Sequence, residues 1–88
     1  MASPKQLNKG RLVCALLELA SDFAQDIGSG RTVIRQKIGQ SDLAARAGIG
    51  RESASRIIND WQRRKMVSRS SGYYCIENKD QLQYEAKL

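Results

Sequence analysis

Residues 11–27 read "RLVCALLELASDFAQDI", with apolar side chains at Leu12, Leu16, Leu19, Phe23 and Ile27 and the stripe widened by Val13, Leu17, Ala20 and Ala24. That spacing keeps one face of a helix apolar over four turns, and Gly28 and Gly30 supply a stop. It predicts a core helix with no chemistry of its own. "RTVIRQKIG" then alternates Val33, Arg35 and Lys37 with Ile34, Gln36 and Ile38, the period of a half-buried strand that Gly39 breaks. "QSDLAARAG" predicts a short helix with Leu43 and Ala47 inward and Gly48 as a left-handed C-terminal residue. A further helix is predicted from about Arg51 to Lys65, with Gly50 at its N-cap. Its apolar stripe is Ala54, Ile57, Ile58 and Trp61, and Glu52, Arg56, Asn59 and Arg63 fall on the opposite face. "MVSRSSGYYCIEN" predicts two strands joined by a tight turn at Ser70-Ser71-Gly72, with Tyr73 and Tyr74 packing in the hairpin. Asn78 and Gln81 have capping-box spacing for a short final helix. The predicted order is helix, strand, helix, helix, hairpin, helix: an α+β fold, mostly helical with a small antiparallel β element.

A chain of 88 residues has room for one core. The expected layout is a flexible N-terminal segment or artificial start over 1–9 and one domain over 10–88. No apolar run approaches the roughly 18 residues needed to cross a bilayer. "MASPKQLNKG" lacks the apolar core of a secretory signal, so cytoplasmic residence and no membrane partner are expected. The sequence contains no histidine, and its two cysteines, Cys14 and Cys75, form no CxxC pair. Metal ligation is therefore improbable, and both thiols read as small core residues. With no histidine, no phosphate-binding glycine loop and no cleft-like carboxylate pair, no catalytic residue, cofactor or metal is expected, and an enzyme is disfavoured.

Charge changes the picture. The net charge is +6, but residues 31–69 alone hold ten Arg and Lys against three acids, a net of +7. The first thirty residues balance and residues 70–88 carry −1. A localised basic segment attracts a polyanion, nucleic acid before an acidic membrane.

The stretch "AGIGRESASRII" joins the two central helices and puts the second helix's polar groups at its N-terminal end. That is a helix-turn-helix, and those N-terminal residues are the ones that reach base edges in the major groove. Residues 40–59 resemble the twenty-residue motif of bacterial regulators, with Leu43, Ala44, Gly48, Ile49, Ala54 and Ile57 at its apolar, small and turn positions. More narrowly, residues 10–86, from "GRLVCALLEL" to the wing "VSRSSGYYCIEN", resemble the DNA-binding domain of the Crp/Fnr superfamily, a winged helix-turn-helix.

The resemblance implies sequence-specific binding of double-stranded DNA and bacterial transcription regulation. Arg51, Glu52 and Arg56 match the base-reading side chains of cyclic-AMP receptor proteins, while Glu52, Ser55 and Arg56 match the reading set of the Fnr branch. Both signatures stand together, so the operator type stays open. Chemistry narrows it: an arginine fork fits guanine O6 and N7 and a glutamate accepts from the cytosine amino group, so Glu52 and Arg56 can share one G·C pair of a TG-containing half-site. Ser55 is expected against a thymine methyl or a phosphate. Gln40, Ser41, Arg46, Ser53, Asn59, Arg69, Ser70 and Ser71 are the expected phosphate contacts. Gly39 and Gly50 stand where the family commonly has serine or threonine, which leaves only backbone N–H groups to face phosphate there. Arg63, Arg64 and Lys65 read as a solvated helix end outside the site. RNA polymerase is the further partner implied, and a dimer is expected only in a full-length parent. The family's effector-binding β-roll and dimerisation helix are missing from this sequence, which suggests an excised domain or a truncated relative. The alternative reading is a winged helix used for protein or RNA contact.

Overall fold

The computed structural model describes residues 4–28 and 30–85, with side chains from Leu7 onward. Helix α1 spans Pro4–Phe23. It reaches into the segment expected to be flexible, with proline at a helix start where its missing N–H costs nothing. It also ends four residues earlier than its periodicity predicts. Ala24–Gly28 forms strand β1, which pairs antiparallel with β2, Arg31–Ile34.

This corrects the predicted helix end, and the cause is tertiary. The Arg35 N–H donates to the Phe23 carbonyl at 2.8 Å, and Gly28 and Gly30 take positive φ to turn the chain. Strand pairing therefore captures a segment whose apolar spacing also suited a helix. Phe23 and Ile27 remain 39% and 47% exposed, so they extend no core stripe. β2 is also shorter than its alternation predicts, because beyond Ile34 the loop leaves the sheet and the Ile38 N–H donates to Gly72.

After β2 come α2 (Gln40–Ala47), α3 (Arg51–Arg63), β3 (Val67–Ser70), β4 (Tyr73–Ile76) and α4 (Lys79–Glu85). The four strands form one antiparallel sheet in the order β1-β2-β4-β3. Ser71 and Gly72, both at positive φ, make the two-residue turn of the β3–β4 hairpin, whose twist matches that of the strands. Asn78 caps α4 through its side-chain oxygen, which accepts from the Gln81 N–H at 3.1 Å.

The core lies where α1 meets the helix pair and the inner sheet face. Leu12, Leu16, Leu19, Leu43, Ile58, Trp61, Ile34, Ile76 and Leu82 are all buried there. Tyr74 packs into this core while Tyr73 stays on the surface. The two cysteines do not join it, contrary to expectation. Cys14 is exposed on the side of α1 away from Leu12 and Leu16, and Cys75 is half-buried on the outer sheet face. No helix among the described residues is long and apolar enough to cross a membrane.

Arg64 is a further correction, because it is more than a solvated helix end. Its guanidinium donates to Asp60 at 3.1 Å and to both oxygens of Glu85 at 2.8 and 3.2 Å. Glu85 is buried, and Lys9 of α1 stands 3.7 Å from it, so one carboxylate ties α4 to α3 and α1. Hydrogen bonding from Arg64 holds the Glu85 carboxyl below its ordinary pKa against the opposing cost of burial, and Lys9 adds attraction. A carboxyl depressed in the folded state stabilises fully above its unfolded pKa, and that stability is lost as pH falls through the folded value. Glu85→Gln is therefore expected to cost about 1–3 kcal/mol at neutral pH, the worth of hydrogen bonds to a charged group. It should also flatten the acid side of the stability profile. Urea titrations at neutral pH and at about pH 3 measure both, and wild-type stability of the variant at neutral pH would show that the clamp contributes nothing.

Candidate nucleic-acid interface

The two central helices meet at a tightly specified turn. Gly48 sits at φ 70, in the left-handed region, and its N–H donates to Ala45 while the Ile49 N–H donates to Ala44 at 3.1 Å. This is the paired bonding of a Schellman ending, and Ile49 completes it by packing on the core. The predicted role of Gly48 is therefore met: a side chain there would strain the backbone. Gly50 then caps α3 in extended conformation with no side-chain hydrogen bond, and Gly39 does the same for α2. The first N–H groups of both helices are thus left free of a side-chain cap. Unpaired N–H groups and the positive end of the helix dipole suit a phosphate.

The amphipathic stripe of α3 settles which way its polar residues face. Ala54, Ile57, Ile58 and Trp61 are buried, while Arg51, Glu52, Arg56 and Asn59 are exposed and Ser53 and Ser55 half-exposed. Arg51, Glu52, Ser55 and Arg56 line a single open depression of about 470 Å³ at the N-terminal half of α3. All four expected base readers are thus brought together. Ser55 is also tied to α2: its hydroxyl donates to Gln40 Oε1 at 2.7 Å.

The expected phosphate contacts scatter around this depression. Ser41 is exposed at the start of α2, beside Gln40. Arg46 lies at the other end of α2, exposed in its last turn, where its charge also suits the helix C-terminus. Ser53 faces a separate groove of about 540 Å³ between α1 and α3, together with Arg56. At the wing, Ser70 and Ser71 are exposed at the tip. Arg69 is drawn back, with its guanidinium 5.2 Å from the Tyr74 ring centre and donating to the Ile38 carbonyl at 3.5 Å. It therefore holds the wing against the β2–α2 loop as well as adding charge.

Three further residues belong on this surface by position. Lys37 lies over the Tyr73 ring at 5.9 Å, next to the wing turn, and its place on the polar side of the alternation was the available signal. Arg63 lines the α1–α3 groove, although by sequence position it reads as helix-end charge. Lys9 lines the same groove from α1. Nothing in the charge-balanced N-terminal sequence pointed to Lys9, because its position depends on how α1 packs across α3. Among the described residues, no three His, Cys, Asp or Glu side chains gather as metal ligands would.

Four helices among the described residues, with a helix-turn-helix, an antiparallel hairpin wing beside it and a polar, cation-rich second motif helix, define a winged helix-turn-helix DNA-binding domain. Residues 10–85 match the Crp-like helix-turn-helix domain profile, and the chain belongs to that family, which is one of transcription regulators rather than enzymes. TTHA1359, a transcriptional regulator of the CRP/FNR family from Thermus thermophilus, is 27% identical, with a TM-score of 0.74 over 91% of this chain and 40% of its own. Oxidised CprK in complex with o-chlorophenolacetic acid shares the fold at 16% identity, with a TM-score of 0.78 over 92% of this chain and 34% of that one. Reduced CprK without ligand gives 0.75 at 13% identity, over 89% and 37%. The chain thus spans 40% or less of the length of these proteins. No curated protein matches it by sequence.

Proposed function

We propose that the domain, residues 10–88, reads a TG-containing half-site in the major groove of duplex DNA and so directs a bacterial transcription regulator to its promoters. The observation that carries this is the depression shared by Arg51, Glu52, Ser55 and Arg56 on the free face of α3. The Arg56 fork takes guanine O6 and N7, Glu52 accepts from the amino group of the paired cytosine, and Arg51 reads the neighbouring step. Gln40, Ser41, Ser53, Asn59, Ser70 and Ser71 approach phosphates with short polar groups, and Arg46 and Arg69 with charge. These contacts fix register without reading sequence. In a longer parent, two such domains would read a palindrome as a dimer, in the cytoplasm and with RNA polymerase as a second partner.

The experiment contrasts two arginines. Arg56→Ala is expected to lose about 1–3 kcal/mol of discrimination at one G·C pair, because a bidentate guanine contact goes. Arg69→Ala should weaken every sequence alike and reduce the salt slope by about 0.9, the share of one phosphate contact. A half-site panel measured by fluorescence anisotropy separates these outcomes, and equal, sequence-independent losses in both variants would overturn the assignment. The same panel against RNA of identical sequence tests the RNA-binding alternative, which predicts equal or tighter binding to RNA.

A further inference from the structure

The hydrogen bond between Ser55 and Gln40 crosses from the second turn of α3 to the first residue of α2, and both partners are partly buried. A serine hydroxyl has one proton to donate and two lone pairs to accept with. Here the proton goes to Gln40 Oε1 at 2.7 Å. What remains for a ligand in the depression is acceptor capacity alone. The carboxamide is engaged by the same bond: its oxygen takes the Ser55 proton, which leaves its two N–H donors for another partner.

From this geometry we infer that Gln40 is a positioning residue that sets what Ser55 reads. The inference rests on the base-reading role of α3 proposed above. In the major groove the base groups that donate are the adenine N6 and cytosine N4 amino groups, whereas guanine O6 and N7 and thymine O4 accept. A Ser55 whose proton is committed to Gln40 accepts from an amino group and is not matched to a base edge that offers acceptors only. It cannot donate to a phosphate either, which removes one of the two roles expected for it from sequence. Gln40 meanwhile offers its N–H groups to the DNA backbone, so one side chain joins the positioning of the helix to the chemistry of its reading face.

The test starts from the base pair at which Ser55→Ala changes preference in the half-site panel. At that pair the amino-bearing base is replaced by an analogue lacking only the exocyclic amino group, and binding is measured for three proteins. Wild type is expected to lose about two- to tenfold in affinity, the worth of one hydrogen bond. Gln40→Ala should shrink that ratio, because the freed hydroxyl can still accept from the amino group but can also turn and donate to a neighbouring acceptor where that group is absent. Gln40→Glu keeps an oxygen to accept the Ser55 proton. It should therefore retain the wild-type ratio while binding every DNA more weakly, through repulsion between its carboxylate and phosphate. A merely structural role for Gln40 would leave the ratio unchanged in both variants.

The inference is overturned if Gln40→Ala keeps the wild-type ratio, if Gln40→Glu loses it, or if Ser55→Ala alters no base preference. Arg56→Ala serves as the parallel control. If Arg56→Ala alters no base preference either, the base-reading proposal itself fails, whatever the Gln40 variants do.

Discussion

Between about 50 and 200 mM salt, duplex DNA binding by this domain is expected to fall about 10²-fold. That magnitude comes from charge on the surface proposed to meet DNA. Arg46 and Arg69 are expected at phosphates, Lys37 stands by the wing turn and Arg63 in the α1–α3 groove, and all four are exposed. Four neutralised phosphates give a slope of log affinity against log salt near −3.6, since each released counterion contributes about −0.9. The acids among the basic residues temper this only in part, because Asp60 already lies within salt-bridge distance of Arg63 and Arg64. Anisotropy titrations at four or five salt concentrations give the slope directly. A slope near zero would mean that the basic segment over 31–69 is a solvated face with no polyanionic partner, and the DNA reading would fall with it.

Fusing a parallel dimerising helix ahead of the chain is expected to tighten binding to a palindrome by about 10²–10⁴-fold over the unfused domain, with no new contact to DNA. In the proposed mode one half-site engages one α3, and tethering raises the effective concentration of the second. The gain should vanish when the half-sites are moved away from a spacing of about one helical turn, roughly 34 Å. The structure explains why the unfused chain should act as a monomer: α1 places Leu12, Val13, Leu16, Leu19 and Ala20 in its own core. What α1 leaves outside, among apolar side chains, is a thin line through Leu7 and Cys14 and, at its end, Phe23. Sedimentation showing a stable dimer of the unfused chain would place an interface on that line and remove the basis for the gain.

The helix-turn-helix was legible from sequence because its signals are local. Gly48 ends α2 in a left-handed turn, Gly50 starts α3, and the Ala54, Ile57, Ile58 and Trp61 stripe fixes which face looks outward. Each of these depends on residues within one or two turns of one another. The same stripe put Glu52 and Arg56 on the open face of α3, while Arg51 and Ser55 entered the proposed reading set through the family resemblance. The Ser71-Gly72 turn and the Asn78 cap were local signals as well, and both are present in the structure.

The end of α1 was not legible for the opposite reason. "FAQDI" suits a helix by spacing, and only pairing with β2 makes Ala24–Gly28 a strand. Cys14 satisfied the composition of a core residue but not its geometry, because the packing of α1 decides which side of the helix is covered. Arg64 resembled any solvated cation until α4 folded back and brought Glu85 to it across 21 residues. Lys9 and Arg63 share a groove, and Ser55 donates to Gln40, through helix-to-helix contacts that no window of sequence contains. This chain's sequence by itself determined its periodicities, caps and turns, because those energies arise between near neighbours. Strand pairing, ion clamps and the hydrogen bond from Ser55 to Gln40 arise between residues far apart in the chain, so only the tertiary structure decided them.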